Sequence, residues 1–430
     1  MKSIFRDILL ENEFSLPLAY LPREQPFSVL PRKALAVIGI RRCGKTTYLR
    51  QIWDTLLRQK KGRPDQLLYV NFFDERLFGL RVSQLRELLD AYYELHPQMD
   101  ARATLSFFLD EIQTVPGWEL FVDRLLRAGH QVFLSGSSST LLSRELASAM
   151  RGRSLSIELF PFGFKEILKS EKQEWRHPGP RDRAVMRARF RTYLQQGGFP
   201  ETLDVSPPVR RRLLQDYVDT VLLRDIIERH NPSDPSAMTH LSHLLMNQAG
   251  ALYTLNKTCE RLKAQGLKVN KPEISQALDW FHDSYLYFSV PILSQSVQAQ
   301  VVNPKKIYCI DTGMVFHHSV GLSDQWGVLL ENAVFLHLRR RAESIFYYKD
   351  SHQREVDFVV PGKGRSHTLI QVSVSIKSPK TRERETQALL SAMADLSIPE
   401  ATLITLDEEE EIRTAGKRIH VRPAWSFLLE

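Results

Sequence analysis

Cysteine is scarce in this chain, with Cys43, Cys259 and Cys309 the only three in 430 residues, far apart and without a CxxC pair. That spacing excludes a disulfide framework and a thiolate zinc site, and it predicts reduced thiols. Long apolar runs are missing too: nothing reaches membrane-spanning length, and the opening "MKSIFRDILLENEF" carries acids where a secretory leader needs an unbroken apolar core. Internal repeats and low-complexity tracts are also absent. A soluble, cytoplasmic protein with no membrane partner is therefore expected. What is present is globular: 43% hydrophobic and 25% charged residues, in a length that suggests roughly two to four domains. The net charge of +8 leans toward phosphate-bearing partners without deciding for them.

One stretch breaks this plain background. In "LAVIGIRRCGKTTYLRQIW", Ala34 to Ile38 is a short apolar run of the kind that forms a parallel strand buried on both faces. It runs into Gly39-Ile40-Arg41-Arg42-Cys43-Gly44-Lys45-Thr46, which satisfies G-x-x-x-x-G-K-[ST]. The glycines let successive amides turn inward at phosphate oxygens, and the helix behind presents its N-terminus to them. Lys45 is expected to reach the β- and γ-phosphates of ATP, Thr46 to ligate Mg²⁺, and Thr47 to open the helix. Cys43 contributes its amide rather than its sulfur. Arg41 and Arg42, at the crown, face the γ-phosphate, a neighbouring subunit or the rest of the chain.

A bound Mg²⁺ also needs a carboxylate, and hydrolysis needs a group that orients water. "TLSFFLDE" supplies an apolar strand ending in Asp110, for the metal through water, and Glu111, for the attacking water. "HQVFLSGSSSTLLSREL" gives another strand from Gln131 to Leu134, then small polar residues from Ser135 to Thr140. Ser137 is the candidate γ-phosphate sensor, with Ser138 beside it; the alternative is a serine-rich cap on the next helix. Asn71, Asp74 and Glu75 are expected on the same rim. Arg151 and Arg153 precede a further strand, and Arg153 is the candidate arginine finger, against the alternative of an ordinary surface arginine. A finger given in trans requires a homo-oligomer.

"GIRRCGKTT", "FFLDEIQTVPGWE", "LSGSSSTLLSREL", "RGRSLSIELFPFGFKE" and "YLQQGGFPE", with "LLRDIIERH", "NPKKIYCIDTGM", "GVLLENAVFLHL" and "REVDFVV" farther on, cover nearly the whole chain. In combination they resemble the prokaryotic AAA-type P-loop ATPases that carry a C-terminal domain of formerly unknown function. The resemblance implies ATP binding and hydrolysis at the residues above, a winged-helix module, and a C-terminal fold similar to the PD-(D/E)XK nucleases.

The middle of the chain reads as helices. Leu213, Tyr217, Val221 and Ile226 follow a roughly helical spacing, Arg224 and Asp225 are expected in structural roles, and the pair Gly197-Gly198 precedes Phe199-Pro200. After "NPSDPS" come three compact segments and two short apolar ones, "LYFSVPIL" and "KIYCID", which would make three helices and a wing. Lys257, Arg261, Lys263, Lys268 and Lys271 offer phosphate contacts to DNA. A plain packing module is the alternative, since Glu273, Asp279 and Asp283 dilute the charge.

From Gly327 the order is helix, three strands, helix. A PD-(D/E)XK site needs an acid on one strand, an acid or amide on the next and a lysine two residues later. Asp357 fills the first place, Gln371 the second, and Glu331 is the extra helical acid. Ser373 stands where the lysine is needed, and Lys377 lies about 13 Å beyond Ser373 along an extended strand. No ammonium is therefore expected, and replacing the usual Glu by Gln371 weakens metal binding. The residues Glu331, Asp357, Gln371 and Ser373 are expected to form a vestigial site used for binding or assembly. An active nuclease with a relocated lysine, or with Arg384 in its place, is the alternative.

The expected fold class is α/β. A P-loop NTPase (AAA-type) parallel-sheet domain spans 1–165, a helical lid or linker 166–235, a winged-helix-like module 236–303 and a restriction-endonuclease-like α/β domain 304–430. The expected function is a Mg²⁺-dependent ATPase that couples its nucleotide state to DNA binding or remodelling. The alternatives are a nucleotide-dependent regulatory switch acting on protein partners and an ATP-gated DNA nuclease.

Overall fold

The computed structural model describes residues 1–11, 19–100, 102–136, 152–170, 179–318, 326–362 and 366–430. The chain divides into two units, Met1–Phe160 and Pro161–Glu430. The first break thus falls earlier than the expected 165, where β-sheet contacts of the first unit end.

In the first unit, five short runs form a parallel sheet: β1 (Ala34–Ile38), β2 (Leu67–Asn71), β3 (Ser106–Asp110), β4 (Gln131–Gly136) and β5 (Ser154–Glu158), in the order β2-β3-β4-β1-β5. Every residue of β1 and β3 is buried, which is why both read as unbroken apolar runs rather than as alternation. Phe108 of β3 stacks on Phe133 of β4 at 4.5 Å and meets Trp53 at 5.2 Å; each such buried ring contributes about 2–3 kcal/mol. The first helix, α1 (Lys2–Glu11), packs on α3 (Arg86–Leu95) through buried Phe5 and Ile8. The other two long helices are α2 (Lys45–Arg58) and α4 (Trp118–Arg127), the latter amphipathic with Phe121, Val122, Leu125 and Leu126 turned inward. This strand order inserts β4 between β1 and β3. Their C-terminal ends therefore share one rim, where ligands of open parallel sheets bind.

The second unit begins with α5 (Phe164–Ser170), α6 (Pro180–Gln196) and α7 (Pro207–Thr220). Beyond α7, a π-helical segment, Val221–Ile227, leads into α8 (Glu228–His230). Val221 and Ile226 are both buried. Their spacing of five, off-face in an α-helix, is the spacing that a π-turn keeps on one face. The Gly197-Gly198 pair has a steric reason: a Cβ on Gly197 would lie 2.0 Å from Asp311 Oδ1, and one on Gly198 2.0 Å from the Phe162 carbonyl. Asp311, buried, accepts the Gly198 N–H at 2.7 Å and the Met314 N–H at 3.1 Å.

Next come α9 (Pro235–Met246), β6 (Leu252–Tyr253), α10 (Leu255–Ala264), α11 (Lys271–Asp283) and β7 (Tyr287–Val290). The helix starts are legible: Thr254 caps α10, and Asn270 with Glu273 forms a capping box on α11. A short helix α12 (Val297–Val302) precedes β8 (Lys305–Cys309). Strand β8 pairs antiparallel with both β7 and β6. The boundary drawn at 303 therefore cuts through a sheet, because β8 completes the three-stranded order β6-β8-β7 rather than opening the C-terminal sheet.

After α13 (Thr312–His318) and α14 (Trp326–Arg339), β9 (Phe346–Lys349), β10 (Glu355–Pro361), β11 (His367–Val372), β12 (Glu400–Thr405), β13 (Glu410–Thr414) and β14 (Lys417–Pro423) form a six-stranded mixed sheet, β13-β14-β12-β11-β10-β9. Helix α15 (Pro379–Asp395) lies on it, with Leu389, Ala392 and Met393 against Val356, Val359, Leu369, Leu403 and Ile419. The chain closes with α16 (Ala424–Phe427).

Candidate functional site

The loop between β1 and α2 has the backbone its glycines permit. Gly39 takes φ 154° and Gly44 φ 97°, and Arg42 is left-handed at φ 63°. A Cβ on Gly39 would lie 2.2 Å from the Leu159 carbonyl, so no side chain fits there. Gly44 is the residue before α2, and Lys45, Thr46 and Thr47 form the first turn, where free N–H groups and the helix dipole favour an anion. Lys45 is buried, and its ammonium donates to the carbonyls of Gly39 and Ile40, each at 3.1 Å. Cys43 is fully buried, and burial pushes its thiol pKa up. It is a packing residue with an inert sulfur.

Adjacent strand ends bring the expected acid to this loop. Thr46 Oγ1 donates to Asp110 Oδ2 at 2.7 Å, and Tyr69 OH donates to the same oxygen at 3.1 Å. Ser135, at the end of β4, donates its hydroxyl to Asp110 Oδ1 and accepts the Glu111 N–H at 3.1 Å. Glu111 is half-buried and takes φ 55°, a backbone state that costs a non-glycine residue about 1 kcal/mol or more. Its carboxylate accepts from Gln113 Nε2. Asn71 stands beside Asp110 in register. Asp74, three residues beyond the end of β2, is ion-paired with Arg76, which also holds Glu11.

Two expectations for this unit fare differently. Ser137, Ser138 and Arg151 lie outside the described residues. Arg153 is exposed at the N-terminal end of β5, where its carbonyl accepts from Ala34 and its guanidinium pairs with Asp123 at 3.0 Å. It is therefore at the opposite end of the strands from this chain's own loop. Sequence reasoning missed Arg23. Buried, it donates to the carbonyls of Phe160, at 3.0 Å, and Cys43, while Gln51 brackets its backbone N–H and carbonyl at 2.7 and 3.0 Å. Nothing in "YLPREQPF" signals that role. Ser135 was visible only as one of a run of small polar residues.

The donor set fits a Mg²⁺–nucleoside triphosphate. An ammonium on neutral carbonyls, a helix N-terminus, and a threonine hydroxyl against a carboxylate are the groups that phosphate oxygens and a hard divalent cation select.

In the second unit, Glu331 of α14 and Asp357 of β10 do come together, but around a lysine. Lys306 of β8 is 2% exposed, and its Nζ lies 2.6 Å from Asp357 Oδ1, 2.9 Å from Glu355 Oε1 and 3.0 Å from Glu331 Oε1. The expectation that no ammonium is available is thus corrected. It comes from a different strand, one whose pairing only the three-dimensional fold reveals. Burial opposes its charge, but Asp357 foremost, with Tyr308, Glu331 and Glu355, outweighs burial and holds its pKa well above the ordinary value. Burial and the neighbouring Asp357 raise the Glu331 pKa to about 7.

Gln371 spends its amide on both sides, accepting the Asp357 N–H at 3.1 Å and donating to buried Glu385 at 2.8 Å. A glutamate there would set one carboxylate against another. Strand β11 ends at Val372, so Ser373 and Lys377 are not on it. The Ser373 hydroxyl donates to the Ser375 carbonyl, and Lys377 is exposed. Arg384 is taken up by Glu385. Among the described residues, no group of three or more His, Cys, Asp or Glu side chains is arranged to hold a metal ion.

Family models match three stretches of the chain. Residues 31–168 fit the family described as an AAA domain, 187–325 a domain of unknown function (DUF8612) and 326–427 a second one (DUF4143). An uncharacterized protein of Methanocaldococcus jannaschii, MJ1544, is 33% identical over the whole of this chain and 96% of its own length. An uncharacterized protein of Haemophilus influenzae is 27% identical over 82% of this chain and 85% of its own. Among solved structures, a Walker-type ATPase of Pyrococcus abyssi aligns with a TM-score of 0.42 at 14% identity, over 74% of this chain and 94% of that one. The first unit is a parallel-sheet AAA domain with a P-loop. The chain belongs to the family of AAA-domain proteins that includes MJ1544 of M. jannaschii.

Among the described residues, no helix is long and apolar enough to cross a membrane.

Proposed function

We propose that this protein is a Mg²⁺-dependent ATPase, converting ATP and water to ADP and phosphate, that couples its nucleotide state to binding or remodelling DNA. The observation that carries the reading is the 2.7 Å contact between Thr46 and Asp110, which joins the phosphate loop to an acid on a strand two places away. Gly39, Arg41, Arg42, Cys43 and Gly44 shape the loop, and Lys45, Thr46 and Thr47 receive the phosphates at the start of α2. Thr46 and Asp110 would hold Mg²⁺, which supplies charge neutralisation on the phosphates when bound. Glu111 orients the attacking water and takes its proton on a carboxylate oxygen. Ser135 holds Asp110 and the Glu111 backbone in fixed relation, so it joins Ser137 as a candidate sensor. Arg153 would act, if at all, in a neighbouring copy of a homo-oligomer.

Phosphate release from ATP by the full chain tests this. Lys45→Ala should reduce it to background, and turnover indifferent to both Lys45→Ala and Glu111→Gln would sink the ATPase reading.

For the second unit we propose a winged helix, from α9 to β8, followed by a restriction-endonuclease-like domain that binds rather than cuts. Support comes from the three-helix and three-strand order and from Lys257, Arg261, Lys263, Lys268 and Lys271, all exposed. Salt-titrated binding to single-stranded, duplex and branched DNA, with and without ATP, is the test. Absence of binding at low salt would favour a switch acting on protein partners.

A further inference from the structure

Three carboxylates gathered at one point need a counter-charge, and here the chain brings its own. Lys306 lies in the middle strand of the β7–β8 hairpin sheet, whereas Glu331, Glu355 and Asp357 belong to α14 and β10. Other contacts fix the hairpin in the same place. Tyr308 OH donates to Glu331 at 2.7 Å and its ring stacks on Phe335 at 4.4 Å. Tyr347 OH donates to the Pro304 carbonyl at 2.6 Å, and the Leu293 N–H donates to the Tyr347 carbonyl at 2.7 Å. Asp357 has no freedom to turn away, because its second oxygen accepts the Val372 N–H at 2.8 Å.

We infer that Lys306 is a resident internal cation: its ammonium brings to Glu331, Glu355 and Asp357 the positive charge that a divalent metal would otherwise supply, keeps metal out of this acidic cluster, and pins the β7–β8 hairpin to the C-terminal sheet. A relocated catalytic lysine would need access to a phosphate and room for a metal beside it. Lys306 has neither: its side chain is 3% exposed and its three donors meet three carboxylates. The inference stands apart from the ATPase reading, since none of these residues belongs to the P-loop unit.

The test uses the full chain without nucleotide and MnCl₂ as the probe, reading thermal unfolding and bound Mn²⁺ by electron paramagnetic resonance. Wild type should show no Asp357-dependent Mn²⁺ binding. Lys306→Met strands buried carboxylates and should lower the melting temperature of the second unit by roughly 10 °C. Mn²⁺ should restore much of that loss, and no longer do so once Asp357→Asn is added. If Lys306→Met alone does not yield folded protein, the triple variant Lys306→Met, Glu331→Gln, Asp357→Asn should recover folding, because the one carboxylate left, Glu355, is 27% exposed and stays hydrated. Mn²⁺ bound by wild type and lost in Asp357→Asn would overturn the inference. So would a Lys306→Met chain as stable as wild type, or a triple variant that stays unfolded. Phosphate release measured in parallel keeps a failure here distinct from a failure of the ATPase reading.

Discussion

The two units each bury a lysine, and they hold it in opposite ways. Lys45 rests on two neutral main-chain carbonyls at 3.1 Å, with its loop open to the rim of the sheet. Lys306 is held by three carboxylates at 3.0 Å or less. A neutral hydrogen bond is worth about 1 kcal/mol net, so Lys45 can exchange its partners for phosphate oxygens at small cost. Lys306 cannot leave without stranding buried charge, which costs about 3–5 kcal/mol. A lysine beside acids is therefore not in itself a mark of catalysis; what it would leave behind decides.

The strongest way to break this contrast is to neutralise one acid in each unit. Glu111→Gln should lower phosphate release about 100-fold or more while nucleotide binding persists, since only the water's orientation and proton acceptor are removed. Asp357→Asn should leave phosphate release within about two-fold, and its cost should appear in unfolding instead, because an amide has one acceptor oxygen for Lys306 and the Val372 N–H, which now take one each, and carries no charge to face the ammonium. Equal losses of turnover in the two variants would erase the distinction between the sites.

Arg23 sharpens the account of the first unit. It touches no reacting group, yet its planar fork joins the carbonyl of Cys43 in the loop to that of Phe160 beyond β5. Arg23→Ala should raise KM for ATP and reduce kcat/KM about 10-fold, with a smaller change in kcat. Arg23→Lys should recover little, because a single ammonium cannot reach two carbonyls with fixed geometry. A variant with unchanged KM and lowered stability alone would make Arg23 a plain packing residue.

The second unit also stores an acid-sensitive group. Burial, then the charges of Arg341, Arg340 and Lys165, push the His337 pKa down to about 3. Its ring lies 4.9 Å from Phe427. Below pH 6.5 the unfolded chain takes up the proton that the folded one refuses, so the His337 contribution is complete above that pH and falls as the pH drops toward 3. At pH 5 the loss is about 2 kcal/mol. In urea titrations, His337→Phe should lose less stability than wild type between pH 7 and pH 5, by about that amount. Parallel profiles for the two proteins would show that His337 titrates normally.

How much of this was legible follows from the range of the interactions. The P-loop and the strand ending in Asp110 were readable because local chemistry imposes them: β1, predicted as Ala34 to Ile38, has those bounds, and both loop glycines take positive φ angles. The turn of the Gly197-Gly198 pair was visible as glycines but not as a cradle for Asp311, which lies 113 residues from Gly198. Lys306 was in plain view within "NPKKIYCIDTGM", one position before the apolar run of β8. Its partners were not, since the hydrogen bond to Asp357 spans 51 residues and depends on how a hairpin meets a sheet. A lysine two residues after Gln371 would come from the same strand, whereas electrostatics requires only that an ammonium arrive.

A third way of placing lysine gives the smallest expected effect. Lys257, Lys263 and Lys271 are exposed on α10 and α11, where they stay hydrated and are worth little to the fold. If DNA lies along these helices, each removes about one counterion from the backbone on binding, so Lys263→Ala should weaken binding only a few-fold, uniformly across sequences, and flatten the salt dependence by about one unit of log slope. Stability should be unchanged, the reverse of the Lys306 substitution. A sequence-selective loss at Lys263→Ala would mean that the residue reads a base edge rather than phosphate, and no loss in a Lys257→Ala, Lys263→Ala, Lys271→Ala chain would move the DNA contact off this face altogether.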